Sequence, residues 1–191
     1  RFMSEFGFQS FPSEKVLDYD MEGKQLDLGD GAIKSHQKHH RGFQLIDEYM
    51  ARDFPVPSDP KDYAYVSQLV QAKGMRMGIE AHRRAKPYNM GTLYWQLNDC
   101  WPAISWSSID YFGHWKALHY AAKEAFENIL ISFEQEDDVL QVYAVNDHLE
   151  DVKETLYVAI RDFSGNIMWE TKEVVAVAAN SSQVVYRLPM K

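Results

Sequence analysis

Glu5 is a carboxylate inside the short apolar run Phe2 to Phe6, and Gly7 follows it two positions on. A glycine there lets the backbone turn sharply just past the run. That would leave the carboxylate pointing into whatever cavity lies at the end of a strand, a rigid place to hold a reactive group. Two readings stand: a structural ion pair or edge residue, and a nucleophile. Hydrolysis of a glycosidic bond uses two carboxyl groups that face one sugar ring. They lie about 5 to 5.5 Å apart when one of them attacks the anomeric carbon.

The second candidate is the stretch Tyr94-Trp95-Gln96-Leu97-Asn98-Asp99-Cys100-Trp101-Pro102. It reads as a buried strand whose indoles fill a core. It reads equally as a sugar-binding wall, where an indole face stacks on a pyranose and Gln96, Asn98 and Asp99 hydrogen-bond its hydroxyls. His36, His39 and His40 lie within five residues. Paired histidines can ligate a metal on a helix. However, the segment is loop-like and lacks a partner ligand at matching spacing, so no metal site is expected. His114 and His119 read as packing or hydrogen-bonding residues. Cys100 is the single cysteine, so it makes no internal disulfide, and nothing points to it as a nucleophile. The charge run Glu134, Glu136, Asp137, Asp138 reads as a solvated turn.

These residues must be positioned by the elements around them. Residues 2–6 predict a strand and 7–40 a long irregular stretch, a length that in a compact domain points to function. Phe43, Ile46 and Met50 predict a helix over 41–52. Asp59 as N-cap and Pro60 in the first turn start another, which Val66, Leu69, Val70 and Met77 carry to about residue 85. Residues 91–97 predict a strand, a loop runs to Asp110, and Trp115, Leu118, Ala122 and Phe126 predict a helix to about residue 127. From Asn128 the pattern alternates between apolar and polar, as in Leu140, Val142 and Ala144, with Ser164-Gly165-Asn166 as a hairpin turn. About five strands are expected there, where an immunoglobulin-like sandwich takes about seven in about 100 residues. The fold expected is α/β then all-β. Residues 1–127 read as closing units of a (β/α)8 TIM barrel, and 128–191 as a partial immunoglobulin-like β-sandwich.

The 191 residues carry a net charge of −8, with Lys and Arg scattered. No basic stripe suggests nucleic acid or a membrane surface, and no apolar run approaches the roughly 20 residues of a bilayer span. No signal peptide is visible. The chain opens on Arg1-Phe2-Met3-Ser4-Glu5 as if inside a strand, so upstream sequence is expected.

The strings FMSEFGFQSFPS and GTLYWQLNDCWPAISWSSIDYFGHWKALHY resemble the clan-A glycoside hydrolases of family 2, and within them the β-mannosidase branch. The resemblance covers about residues 1–127, and the β-segment suits the family's immunoglobulin-like domain after the barrel. It implies that Glu5 is the catalytic nucleophile on the seventh barrel strand and that Trp95, on the eighth, lines the −1 subsite. Gln96, Asn98, Asp99 and Trp101 match the motif and are expected to bind substrate. The form of the motif is similar to β-mannosidases and exo-glucosaminidases, and differs from that of β-galactosidases and β-glucuronidases. The family's acid/base is a Glu directly after an Asn on the fourth strand, and no Asn-Glu pair occurs in these residues.

The resemblance therefore implies a retaining exo-glycosidase acting on terminal β-D-mannosides through a covalent glycosyl-enzyme. It implies no cofactor, an oligosaccharide or glycoside substrate, and the rest of a parent chain to complete the barrel. By itself this chain is expected to be inactive. Sibling specificities (exo-β-glucosaminidase, β-galactosidase) and a non-catalytic carbohydrate-binding module are the alternatives. The family's periplasmic and lysosomal members point to an extracytoplasmic setting.

Overall fold

The computed structural model describes residues 1–190, which divide into two compact units. The first joins Arg1–His82 to Gly91–Phe126; the second joins Arg83–Met90 to the chain from Glu127 onward.

In the first unit the long helix comes from a well-marked start. Asp59 Oδ1 accepts from the backbone N–H of Lys61 (2.9 Å) and of Asp62 (3.1 Å), and Pro60 opens the helix. Among the described residues five helices occur in chain order: α1 (Glu14–Asp20), α2 (Gly31–Ser35), α3 (Gly42–Asp53), α4 (Pro60–Arg84) and α5 (Ala117–Ala125). The last three fall where periodicity predicts them. Helices α1 and α2 lie in the stretch read as irregular, because seven and five residues are too few to display a period. Asp30 caps α2 through Ala32 N–H at 2.7 Å.

Two apolar cores form. Phe11, Leu17, Ile33, Ile46 and Met50 gather α1, α2, α3 and the first half of α4. Met75 and Ile79 of α4 meet Leu118, Ala122 and Ala125 of α5, and the rings of Phe6, Phe8 and Tyr94 pack on them. Gly78 makes that layer thin: a Cβ there would stand 2.7 Å from Phe6 Cε2.

The segments 2–6 and 91–97 lie side by side in parallel, as their strand character requires. They meet at one bridge, Met3 with Thr92. Met3 N–H donates to Gly91 O and Leu93 N–H to Met3 O, each at 2.9 Å; Trp95 N–H then donates to Phe6 O at 2.8 Å. A regular parallel ladder would bring Trp95 to Glu5 O. The extra residue between Met3 and Phe6 interrupts the ladder, and no full strand results at either segment.

The second unit is two antiparallel sheets. β1 (Ile129–Glu136), β2 (Val139–Asn146) and β5 (Ser181–Pro189) form one in the order β1-β2-β5; β3 (Val152–Arg161) and β4 (Ile167–Val177) form the other. Leu130, Val142, Ala144, Val145, Leu156 and Val177 are its buried apolar residues. Asn146, fully buried, ties the sheets at one end. Its Nδ2 donates to Glu150 O, Val177 O and Ala178 O, and its Oδ1 accepts from His148 N–H. The β3–β4 hairpin turns at Asp162–Asn166. There Asp162 Oδ1 accepts from Ser164 and Asn166 N–H, and Gly165 takes a φ of +89° that favours glycine. The charge run is only half a turn. Glu134 and Glu136 belong to β1, facing Arg84 and Gln141, and Asp137-Asp138 alone make the connection.

Arg83–Met90 supplies the cations that pair with Asp147. Arg83 donates to Glu127 O at 2.8 Å and pairs with Asp147 at 3.1 Å, and Lys86 also reaches Asp147. Among the described residues no helix is long and apolar enough to cross a membrane.

Candidate active site

Adjacent residues of an extended segment point to opposite faces. Phe6 and Phe8 turn toward α4 and α5, Gly7 between them lies against Trp95 O, and Glu5 is exposed. The neighbouring segment follows the same rule. Thr92 bonds His82 Nδ1 at 2.9 Å and Tyr94 packs into the helical core, while Leu93 and Trp95 lie on the other side. Trp95 is 48% exposed. Glu5 and Trp95 are thus both exposed, on two segments that lie side by side. Gly7 makes the approach possible: a Cβ at that position would lie 2.5 Å from Trp95 O and 2.9 Å from Trp106 Cδ1. The Trp95–Gln96 peptide is cis.

The loop after Trp95 is held from within. Gln96 N–H donates to Trp106 O at 3.2 Å. Its side-chain amide donates to Asn98 O at 2.9 Å and to Asp99 Oδ1 at 3.2 Å. Asp99 is buried, and its Oδ2 accepts from Ser105 Oγ at 2.8 Å. Of the motif residues, then, Gln96 and Asp99 hold each other. Asn98 presents an exposed side chain, and its backbone pairs with Ile109.

Trp101 belongs to a different cluster. The His36 ring lies 4.8 Å from it, and Lys38 Nζ sits 3.4 Å from its ring centroid. His36 Nδ1 faces both Pro102 O at 2.8 Å and the Asp20 carboxylate at 3.3 Å. Burial raises the pKa of the Asp20 carboxyl, opposed by the charge of His36. His39 stacks on His40 at 4.5 Å and meets Trp106 edge-on at 6.2 Å. The three histidines are thus engaged with rings and backbone. Among the described residues no three His, Cys, Asp or Glu side chains gather as metal ligands would.

Three residues that sequence reasoning passed over carry weight here. Trp106, with Gly7, Gln9, His39 and Tyr49, lines a cleft of about 120 Å³. Gln71 of α4, fully buried, donates to Phe8 O at 2.7 Å and to Trp106 O at 3.3 Å, and accepts from Ser10 Oγ at 2.7 Å. Lys116 is buried, and the charges of Asp99 and Asp110 act on it. Its ammonium donates to Ser10 O at 3.4 Å, and desolvation draws its pKa down to about 7 against the pull of both carboxylates. Only the acidic residues within an aromatic, largely apolar stretch hinted at such a charge.

Comparison with known proteins agrees with this architecture. Residues 138–191 match the family described as Mannosidase Ig/CBM-like domain. The whole chain aligns with β-mannosidases, at 32% identity to that of Capra hircus and 33% to that of Mus musculus; it spans 23% of the length of each. The β-D-mannosidase structure from Dictyoglomus thermophilum superposes on all of the chain with a TM-score of 0.89 and 31% identity, using 24% of that protein. Exo-chitosanase CsxA from Amycolatopsis orientalis shares the fold over 95% of the chain and 23% of its own length, with a TM-score of 0.71 at 16% identity. From end to end, the chain is related to the β-mannosidases and corresponds to about a quarter of one.

Proposed function

We propose that this chain supplies the nucleophile and part of the sugar-binding wall of a retaining exo-β-mannosidase. In this reading residues 1–127 close a (β/α)8 barrel, 128–191 belong to the immunoglobulin-like domain that follows it in the chain, and the remaining barrel strands come from the rest of a longer polypeptide. What supports it is that Glu5 and Trp95 are exposed side chains on two segments lying side by side in parallel, with Gly7 packed against the Trp95 backbone. In a barrel, residues at the strand ends meet the substrate.

Glu5 attacks the anomeric carbon of a terminal β-D-mannoside. A second carboxyl group, contributed outside these residues, protonates the departing oxygen. A covalent glycosyl-enzyme forms, and water then displaces Glu5 with net retention. Trp95 lies against the apolar face of the sugar. Gln96 and Asp99 act by fixing the loop that carries Trp95, and Asn98 is the polar side chain of the motif left free to meet a hydroxyl. Trp101 stands further out, with His36 and Lys38.

The test is to trap the full-length protein with a 2-fluoro-mannosyl reagent and to analyse the peptide that contains Glu5 by mass spectrometry. The adduct is expected on Glu5. Glu5→Gln is expected to lose at least about 10³-fold in kcat while still binding substrate. Turnover near the wild-type level in that variant refutes the assignment. A panel of nitrophenyl glycosides separates mannoside from glucosaminide and galactoside specificity.

A further inference from the structure

The cleft of about 120 Å³ beside Gly7 has no part in the chemistry described so far. Its apolar lining is Phe8 with Leu45 and Ile46 of α3, its polar groups are Gln9 and His39, and Trp106 supplies an indole. An aromatic ring and a few placed polar groups around a concave surface are what a small-molecule site needs. No Lys, Arg, Asp or Glu lines it, so a neutral ligand suits it better than a charged one.

Each polar group is fixed at one end and open at the other. Gln9 is 8% exposed, and its Nε2 donates to Gln37 Oε1 at 2.7 Å and to Ile104 O at 3.4 Å. Gln37 Oε1 also accepts from His39 N–H at 3.1 Å. Two acceptors at one end of the Gln9 amide require the NH2 group there, and Oε1 is left at the other. Among the described residues nothing donates to that oxygen. His39 Nδ1 accepts from Arg41 N–H at 3.2 Å, so the neutral ring carries its proton on Nε2. Nε2 meets no hydrogen-bond acceptor among the described residues. The cleft thus offers one acceptor and one donor beside an indole. A sugar hydroxyl both gives and takes a hydrogen bond, and the C–H face of a pyranose packs on an aromatic ring.

The position of the cleft says which sugar. Gly7 and Gln9 follow Glu5 by two and four residues. Trp106 is tied to the other segment, since its carbonyl accepts from Gln96 N–H at 3.2 Å. The lining therefore comes from the chain that continues past Glu5 and past Trp95. An exo-acting site holds the terminal sugar innermost, and the rest of the substrate leaves across the loops that follow the barrel strands.

We propose that this cleft binds the sugar on the leaving side of the scissile bond, with Gln9 Oε1 and His39 Nε2 bonding its hydroxyls and Trp106 against its ring. The proposal rests on the reading of Glu5 as nucleophile and deepens it. The cleft is smaller than the roughly 300 Å³ of a pocket that encloses a ligand, so it holds one side of the ring and leaves the other in solvent.

The experiment uses the full-length polypeptide and three probes: β-linked mannobiose, β-D-mannosyl fluoride and a thio-linked mannobiose that is not cut. Fluoride departs with no sugar attached, so the two substrates differ in what the cleft would hold. The kcat/KM ratio of mannobiose to mannosyl fluoride is expected to fall about 3- to 10-fold in His39→Ala and in Gln9→Met, the usual cost of one hydrogen bond. Leu45→Trp, which fills the cleft from α3, is expected to lower it further. If Gln9→Met or Leu45→Trp does not fold, His39→Ala decides alone, because that side chain is only half-buried. An unchanged ratio there overturns the proposal.

Binding separates this result from the nucleophile reading. A Glu5→Gln variant that still turns over mannosyl fluoride sinks that reading. The thio-linked mannobiose is then still expected to bind the wild type more tightly than mannose does, and His39→Ala to lose about 3- to 10-fold of that affinity. Equal affinity in the wild type and His39→Ala overturns the proposal, and is the result expected if another segment of the longer polypeptide fills the cleft.

Discussion

A single missing Cβ lets the backbone at Gly7 lie against the backbone of Trp95. Gly7→Ala would push a methyl group to 2.5 Å from the backbone oxygen of Trp95, an atom that cannot rotate away. The expected cost is about 1 to 3 kcal/mol, the usual range for overpacking. Thermal unfolding of the variant checks it, and a midpoint equal to that of the wild type would show that the segments part easily. Lys116 gives a prediction in pH. With its pKa lowered from the ordinary 10.5 to about 7, the unfolded chain holds a proton between those values that the folded chain has released. Stability attributable to this group therefore rises with pH from about 7 to 10.5 and is flat below 7. Unfolding free energies measured against pH, wild type minus Lys116→Met, are expected to show that slope. Glu5 and Trp95 could be singled out in the sequence because each sits in a short contiguous motif. Lys116 and Gln71 could not, since their partners lie dozens of residues away and each looks like an ordinary polar residue at a helix start or on a helix face.

At the scale of elements, helices with strong periods announce themselves. α3, α4 and α5 were readable from apolar spacing, and α4 also from Asp59 and Pro60. The segments 2–6 and 91–97 have strand composition, yet an extra residue breaks their ladder, a feature of pairing that neither segment encodes alone. Their packing surface is the cluster around Ile79, which is fully buried. Ile79→Ala is expected to cost about 2 to 5 kcal/mol, read as a fall in the denaturation midpoint; a loss below about 0.5 kcal/mol would mean that this layer contributes little. In the second unit Asn146→Ala removes a buried amide that serves three carbonyls and one N–H, of which Val177 O is itself buried. A loss of about 1 to 3 kcal/mol is expected, seen as faster amide exchange in both β2 and β4. Faster exchange in β2 alone would contradict the tie between sheets. The alternating β-segment was legible as about five strands, but the partner order β1-β2-β5 was not, because alternation says which face a residue takes and not which strand lies beside it.

For the molecule as a whole, the two segments that carry Glu5 and Trp95 also expose Met3, Leu93 and Leu97. Strands left with open edges and an uncovered apolar face do not hold a barrel site. The isolated 191-residue chain is therefore expected to hydrolyse no mannoside, and robust hydrolysis by the purified chain would mean that the second carboxyl group lies within it. The units also differ from what a linear reading gives. The chain passes from the first unit to the second at His82, returns at Gly91 and leaves again after Phe126. Arg83 and Lys86 arrive by the first crossing, and Asp147, their common partner, by the last. A β-domain excised at position 127 would inherit the anion and leave both cations behind. Engineers who wish to transplant this module into another scaffold must therefore carry two stretches of gene, the octapeptide as well as the tail, and rejoin them by a designed linker.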